Sequence, residues 1–592
     1  MLQKLHQEFK LRAGKKMDKN KQLIALVLCS LASVAQAGEK EELLKLRNTT
    51  TNLIKELVKQ GVLTEKVAAE MIKKAESDAE AQAQNQTAAT QTAPDAAPEP
   101  GEVRVPYVPD FVKDEIRKQV RTDLREEVVS EVMQKAKNEK WGTPDALPDW
   151  VNRFKLSGDL RLRSQNEFMA SDNATGFVNY QAIDVNGGLN RLQSQPLLGQ
   201  LPVLNTTNNR QRFRERLRLA IDAQVTDGVQ AGIRLATGNM PDPVSTNQTL
   251  GNTGSQYQFN LDRAFLKYEA INDKGFKWLT VSGGRIANPY YVGGAEFTGG
   301  SELVWDTDLS FEGLAATTRY SLGNLLNQQT KDDGSRNVYA TVGGFPLQES
   351  AYSSGNKWLF GGQVGLDWGF KNSNALKSAV AYYDYRNMQA TPNSNGNCAT
   401  NSANTNLSVP QFLQWGNTLS SVCSLVDANG NPTGITNLYG LASDFKIVNA
   451  NLSYDLANFA PYHIIVGADF AKNVGYNINN ANLLNRVNNN QHIGEQTNAW
   501  QARVDFGHPK VDRSGQWNVF SLYKYVERDA VVDAYTDSDF HLGGTNAKGW
   551  VVGGNYGLMK NVWFTGRWLS TDVISGPKYS NDILQLDLNT KF

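Results

Sequence analysis

From Phe154 to Phe592 the chain returns again and again to segments in which apolar and polar side chains alternate with a period of two. Phe154-Lys155-Leu156-Ser157-Gly158-Asp159-Leu160-Arg161-Leu162-Arg163 alternates almost throughout, and so does Leu584-Gln585-Leu586-Asp587-Leu588-Asn589-Thr590-Lys591-Phe592. A strand places successive side chains on opposite faces, so each segment offers one apolar face and one polar face. Strands that cross a membrane need about 9–11 residues of this kind, one face to lipid and one to the lumen. Fourteen further segments start near 211, 228, 258, 275, 309, 335, 357, 374, 443, 460, 496, 515, 547 and 561, which predicts about sixteen strands.

The connections supply a second constraint. With a periplasmic N-terminus, odd-numbered connections are predicted to be long and extracellular, and even-numbered ones short. The first runs from about 164 to 210, whereas the second is Thr226-Asp227-Gly228. The third runs over 240–257, the fourth over Asn272–Gly275, and the ninth over 388–442. The tenth is a few residues around Asn458, and the fourteenth is Met559-Lys560-Asn561. The sixth, at 322–334, breaks the alternation. Every backbone amide in hydrocarbon must be paired, and strands achieve that only in a closed barrel. The fold class predicted is therefore all-β and transmembrane: an antiparallel outer-membrane barrel over residues 150–592. Trp278, Trp358, Trp500, Trp517, Trp550, Trp563 and Trp568 fall within or at the ends of strands, where interfacial aromatic belts form.

The region before the barrel reads differently. Lys15, Lys16, Lys19 and Lys21 precede the apolar run Leu23–Val34, and Ala35-Gln36-Ala37 supplies a small-x-small pattern. A secretory signal over 1–37 is predicted, with Met17 as an alternative start. A lipoprotein signal ending at Cys29 is disfavoured by the bulk of Leu28. Residues 38–76 are expected to form short helices and 77–109, rich in Ala, Gln, Thr and Pro, a linker. Residues 110–149 are expected to hold a longer periplasmic helix, with Val112, Ile116, Val120, Leu124, Val128 and Val132 four residues apart. Each step of four drifts about 40° around a helix, so the stripe winds and a regular heptad coiled coil is not supported. An irregular stalk that self-associates as a trimer and a solvated spacer both remain open.

Composition excludes more than it assigns. Sixty basic and sixty acidic side chains cancel, which gives no electrostatic case for nucleic acid. No cofactor motif, metal-ligand cluster or nucleophile-base spacing stands out, and the five histidines are scattered, so no catalytic residue, metal site or cofactor is assigned. Past Cys29, only Cys398 and Cys423 remain, both within one loop-like stretch. An oxidising compartment would let them pair; two separate thiols are the alternative.

Two blocks carry a resemblance. Residues 150–163 (WVNRFKLSGDLRLR) and 284–313 (GRIANPYYVGGAEFTGGSELVWDTDLSFEG) are similar to the putative porin family of Gram-negative bacteria, and the likeness extends over most of 150–592. The second block is the more specific, through Gly284-Arg285, Asn288-Pro289 and the run Leu303–Leu309. The resemblance implies a barrel channel in outer-membrane lipid for passive diffusion of small hydrophilic solutes, with a homotrimer expected from general porins. Phe592 resembles the C-terminal residue by which the barrel-assembly machinery recognises such chains, although Thr590 departs from that pattern. A different reading is a barrel-anchored tether or adhesin whose helical arm faces the cell wall. An energy-coupled receptor would need a plug domain and about 22 strands.

In a barrel channel the chemistry lies in the lumen. Arg212, Arg214, Arg216 and Arg218 share one parity, opposite to Phe213, Leu217, Leu219 and Ile221. Arginine at mid-membrane on the lipid face costs about 2–4 kcal/mol. These four, with Arg161 and Arg163, are therefore expected to line the lumen as a basic ladder able to draw anions. General porins fold the loop between strands five and six into the barrel, here residues 287–308. That loop would bring Glu296, Glu302, Asp306 and Asp308 to a constriction opposite the ladder. A solvated acidic surface loop is the plain alternative.

Overall fold

The computed structural model describes residues 153–592 apart from 190–200, 240–241, 274, 291–302, 323–335, 351–354, 371, 394–397, 399–406 and 481–493. The expected signal, helical region and linker lie outside the described residues, as do Glu296 and Glu302.

Nineteen strands are present among them. They are β1 (Phe154–Met169), β2 (Arg210–Thr226), β3 (Val229–Ala236), β4 (Gln248–Thr249), β5 (Asn260–Ile271), β6 (Lys277–Ala287) and β7 (Ser310–Ser321). Next come β8 (Arg336–Gln348), β9 (Lys357–Gly369), β10 (Ala375–Arg386), β11 (Leu419–Val426), β12 (Pro432–Leu441) and β13 (Lys446–Phe459). The last are β14 (Tyr462–Asn473), β15 (Asn498–Gly507), β16 (Trp517–Val526), β17 (Ala547–Met559), β18 (Val562–Val573) and β19 (Ser580–Lys591). Sixteen form the wall, each antiparallel to its neighbours; β4 is a stub beside β2, and β11 with β12 make a separate hairpin.

The wall closes when β1 pairs with β19 from Asp159↔Lys591 to Met169↔Asn581. Phe592 extends the seam: its N–H donates to the Gly158 carbonyl (3.0 Å), and the Gly158 N–H donates back to Phe592 O (2.9 Å). Closure leaves no edge strand, as hydrocarbon requires.

Two residues suffice to turn the chain between β2 and β3. Gly228 has φ +73°, which an Asp-Gly hairpin turn uses at no steric cost. The alternation seen in sequence becomes two surfaces. On β15 the outward Trp500, Val504 and Phe506 are exposed, while Gln501, Arg503 and Asp505 are buried. On β19 the outward pair is Leu586 and Leu588, and the inward set is Gln585, Asp587 and Asn589. Of the tryptophans, Trp278, Trp500, Trp550 and Trp568 are exposed on the outer surface. Trp563 departs from that set: it is buried, with the Lys591 ammonium 5.5 Å from its ring.

The interior is filled from the long-loop end. The first connection carries a short helix α1 (Tyr180–Val185), and Tyr180 packs on Tyr439 of β12 at 4.6 Å between ring centres. Cys398 and Cys423 are joined within the ninth connection, their Cα atoms 5.1 Å apart. The largest apolar cluster lies inside the barrel and unites Phe345, Leu359, Tyr383, Tyr385 and Ile447 of the wall with Leu303, Val304 and Trp305 of the fifth connection.

Candidate functional site

The site begins with a register. β1 and β2 pair so that Asp159 faces Arg218, Arg161 faces Arg216, and Arg163 faces Arg214. Like charges directly opposite on one face of a sheet repel, so this wall needs carboxylates close by.

They come from four directions. Arg163 is buried and uses its whole guanidinium: Nε and Nη2 donate to Asp587 of β19 (2.8 and 2.9 Å), and Nη1 to both oxygens of Asp539 (2.9 and 2.8 Å). Such two-oxygen contacts are the stronger, geometrically defined kind. Arg212 pairs with Glu167, which also accepts from Gln165 (2.8 Å). Arg216 and Arg218 donate to Asp159 (3.0 and 2.8 Å), and to Asp308 of the fifth connection (3.5 and 3.0 Å). Arg161 and Arg214 meet a different environment. Arg161 Nη2 donates to Asn247 Oδ1, and Arg214 Nη2 donates to Ser245 Oγ (3.4 Å) and the Asn247 carbonyl (3.5 Å). The third connection is placed there by β4, which continues the ladder along β2 where β3 has ended, pairing Arg214↔Thr249 and Glu215↔Gln248.

The fifth connection enters the barrel and touches both sides of it. Trp305 sits among Phe311, Tyr383 and Tyr385, with ring centres 5.0, 5.0 and 6.3 Å away. Three residues on, Asp308 reaches the arginines of β2, while Thr246 Oγ1 donates to its second oxygen (2.9 Å). β2 and β10 stand second and ninth in the sixteen-strand circuit, nearly opposite each other. Burial alone would raise the Asp308 carboxyl, but Arg216, Arg218 and Arg161 outweigh it and hold it well below the usual range.

Asp306 behaves otherwise. Its oxygens accept backbone N–H groups, from Asp308 (2.8 Å) and Ser538 (2.9 Å). Burial and the neighbouring Asp308 raise its carboxyl well above the usual range. Of the expected acidic set, then, Asp308 faces the arginines and Asp306 ties loop to loop. The reason is local: side chains two apart on a tight turn do not share the surroundings that two apart on a strand would.

Sequence reasoning missed the thirteenth connection altogether. Residues 527–546 fold inward, and the Asp306 N–H donates to Tyr535 O (2.8 Å). Asp537 accepts from Lys524 of β16 (2.9 Å), and Asp539 accepts from Arg567 of β18 (3.3 Å) in addition to Arg163. Burial would raise the Asp539 carboxyl, but Arg163 and Arg567 bring it far below its ordinary value. Nothing periodic marks this stretch. Asp159 and Asp587 were missed too, yet both lie on the polar parity of their strands, a signal that was legible. His541 follows the acids; it is buried against Trp415 and Tyr579, and burial lowers its pKa to about 3.

A cavity of about 330 Å³ opens between the two inserted loops and the wall. Seven basic side chains line it (Arg161, Arg216, Arg218, Arg503, Lys524, Arg567, Lys591) against five carboxylates (Asp159, Asp308, Asp537, Asp539, Asp587). Its sign is therefore positive by count. No cluster of His, Cys, Asp and Glu suited to a metal ion occurs among the described residues.

A family model described as "Putative porin" matches residues 47–592. No curated protein sequence matches the chain. Among solved structures, the chain is similar to OprB of Pseudomonas putida in its high-pH form, with 11% identity and a TM-score of 0.40 over 76% of this chain and 97% of that one. It is also similar to the outer membrane channel DcaP of Acinetobacter baumannii, with 10% identity and a TM-score of 0.37 over 74% and 97%. A third likeness is to OmpF of Salmonella typhi in complex with daunomycin, with 11% identity and a TM-score of 0.35 over 75% and 99%.

Proposed function

The chain belongs to the putative porin family, and from that premise we propose that this outer-membrane porin passes small hydrophilic solutes by passive diffusion and prefers anions. The observation that carries the reading is the meeting of Asp308 with Arg216 and Arg218 beside a cavity with more cations than carboxylates. Opposed charges set a field across the passage, and the surplus sets which ions it favours. Arg161, Arg163, Arg212, Arg214, Arg216 and Arg218 form the basic side of that passage. The fifth connection narrows it, with the thirteenth as a second inserted loop.

In the same reading residues 1–37 are an export signal, 38–76 form short helices, 77–109 are a linker, and 110–149 are a periplasmic helix. Phe592, 60% exposed at the seam, is the residue the assembly machinery reads. The working unit is a trimer.

The test is single-channel conductance in a planar bilayer, with the reversal potential taken across a KCl gradient. Steady openings that favour chloride, and that lose this preference in R214Q/R216Q, support the reading. Openings that favour potassium overturn the anion preference. A silent bilayer from protein whose folded form is heat-modifiable overturns the channel and favours the tether.

A further inference from the structure

The six arginines of β1 and β2 are not equivalent. Arg163, Arg212, Arg216 and Arg218 each have a carboxylate within ion-pair distance. Arg161 and Arg214 have none among the described residues. These two stand diagonally across the β1–β2 register, since Arg161 faces Arg216 and Arg163 faces Arg214. Both converge on one neutral residue, Asn247, which is 3% exposed and whose own amide donates to Ser245 Oγ (3.1 Å). Arg214 is itself 8% exposed, and the Nε of each of the two is buried without an acceptor, as are those of Arg212 and Arg216.

A buried guanidinium without a counter-charge is costly, and most buried charges are paired. The neighbours obey this rule. The third connection could meet it with an aspartate at 247, yet places an amide of the same shape there. Asp308 and Asp587 act on Arg161, and Asp539 on Arg214, only from beyond ion-pair distance, so these two guanidiniums keep donors that no carboxylate takes up directly. Arg161 also lines the lumen cavity, so its charge has access to solute.

We propose that Arg161 and Arg214, with Asn247 and Ser245, form a subsite for a small oxyanion, a carboxylate or a phosphate, inside the barrel. The inference rests on the anion-channel reading and deepens it: selectivity comes from this pair, while Arg163, Arg216 and Arg218 hold the inserted loops in place. Arginine suits the role because its planar donors match two oxygens of one anion. The anion enters from the cavity onto Arg161, and Arg214 backs it.

The experiment is block of the chloride current by inorganic phosphate, and separately by succinate, in native protein and three variants. R161Q removes the exposed donor. N247D keeps shape and supplies the missing carboxylate, which should tighten the fold while occupying the site. R234Q removes one lumen positive charge outside the site, the same change in net charge as in R161Q and N247D. Losing one charge-assisted contact should weaken block about tenfold in R161Q and N247D. Block in R234Q should match the native channel. Succinate alone blocking marks a carboxylate subsite, phosphate alone a phosphate subsite, and either supports the proposal. A native channel that neither anion blocks overturns it, as does equal weakening in all three variants, which would mean a diffuse field. A native channel that prefers chloride, with block unchanged in R161Q and N247D, sinks the subsite and leaves the anion channel standing.

Discussion

Asp533 is a carboxyl whose burial outweighs the backbone N–H groups of Ala534 and Asn417 that offset it. It lies in the thirteenth connection, 2% exposed, and its Oδ1 has no partner, while its backbone N–H donates to Asn417 Oδ1 (2.8 Å). Burial, with Asp529 nearby as a lesser cause, pushes its pKa up to about 7. An acid whose folded-state pKa exceeds its unfolded value of about 3.9 favours the protonated folded form. It adds no penalty below about pH 4, a growing one between about pH 4 and 7, and the full one above about 7. The inserted loop should therefore open more readily at pH 8 than at pH 5. D533N is expected to remove the difference, slowing protease cleavage within 527–546 at both pH values and more at pH 8 than at pH 5. Equal cleavage rates for native protein and D533N at pH 8 would show that the carboxyl carries no such cost. Asp308 has the opposite linkage: its arginines depress it, so its hold on the fifth connection lasts as pH falls and is lost only in strong acid.

At the scale of elements, strands and loops differed in how much the sequence could tell. Lipid imposes a two-residue period on anything that crosses it, and the expected segments correspond to the sixteen wall strands from Phe154 to Ser580. The largest offset is at β19, expected near 584 and starting at Ser580, where Ser580-Asn581-Asp582 carries little apolar contrast. Loops inside a barrel meet no such constraint. Trp305 was noticed only through a family likeness, and nothing in Asp537-Ser538-Asp539 announced that it would turn inward. Besides its ion pairs with the wall, the thirteenth connection is held by the ninth: Gln414 Nε2 donates to Asp533 O (2.7 Å), and the Thr545 N–H donates to Trp415 O (2.7 Å). Gly544 makes that approach feasible. Its φ is +96°, and a Cβ there would lie 1.9 Å from the Trp415 carbonyl oxygen. G544A should leave the wall intact but displace the loop, at a cost of about 1–3 kcal/mol. The expected readout is a larger, noisier conductance with heat-modifiability preserved. Native conductance in G544A would mean the loop does not limit the passage.

For the whole molecule the question is whether the barrel needs what precedes it. The chain divides into two units, residues 1–125 and 126–592. Within the second, the seam from β1 to β19 and the bonds between Gly158 and Phe592 account for closure without any residue before 153. The outward apolar row and the inward network are likewise complete from Phe154 onward. Insertion into lipid depends on that closed ladder, since an unpaired backbone group in hydrocarbon costs several kcal/mol. A chain starting at residue 150 behind a signal peptide should therefore assemble, show heat-modifiable mobility and conduct with native selectivity. Its oligomeric state then separates the two readings of the 110–149 segment. If that segment is a self-associating stalk of the proposed trimer, truncation should yield monomers at unchanged unit conductance, measured by light scattering in detergent. If it is a spacer, the oligomeric state of the full chain should persist, because the contacts that hold it would then belong to the outer face of the wall. Failure to assemble at all would overturn the independence of the barrel and place a folding role in the arm.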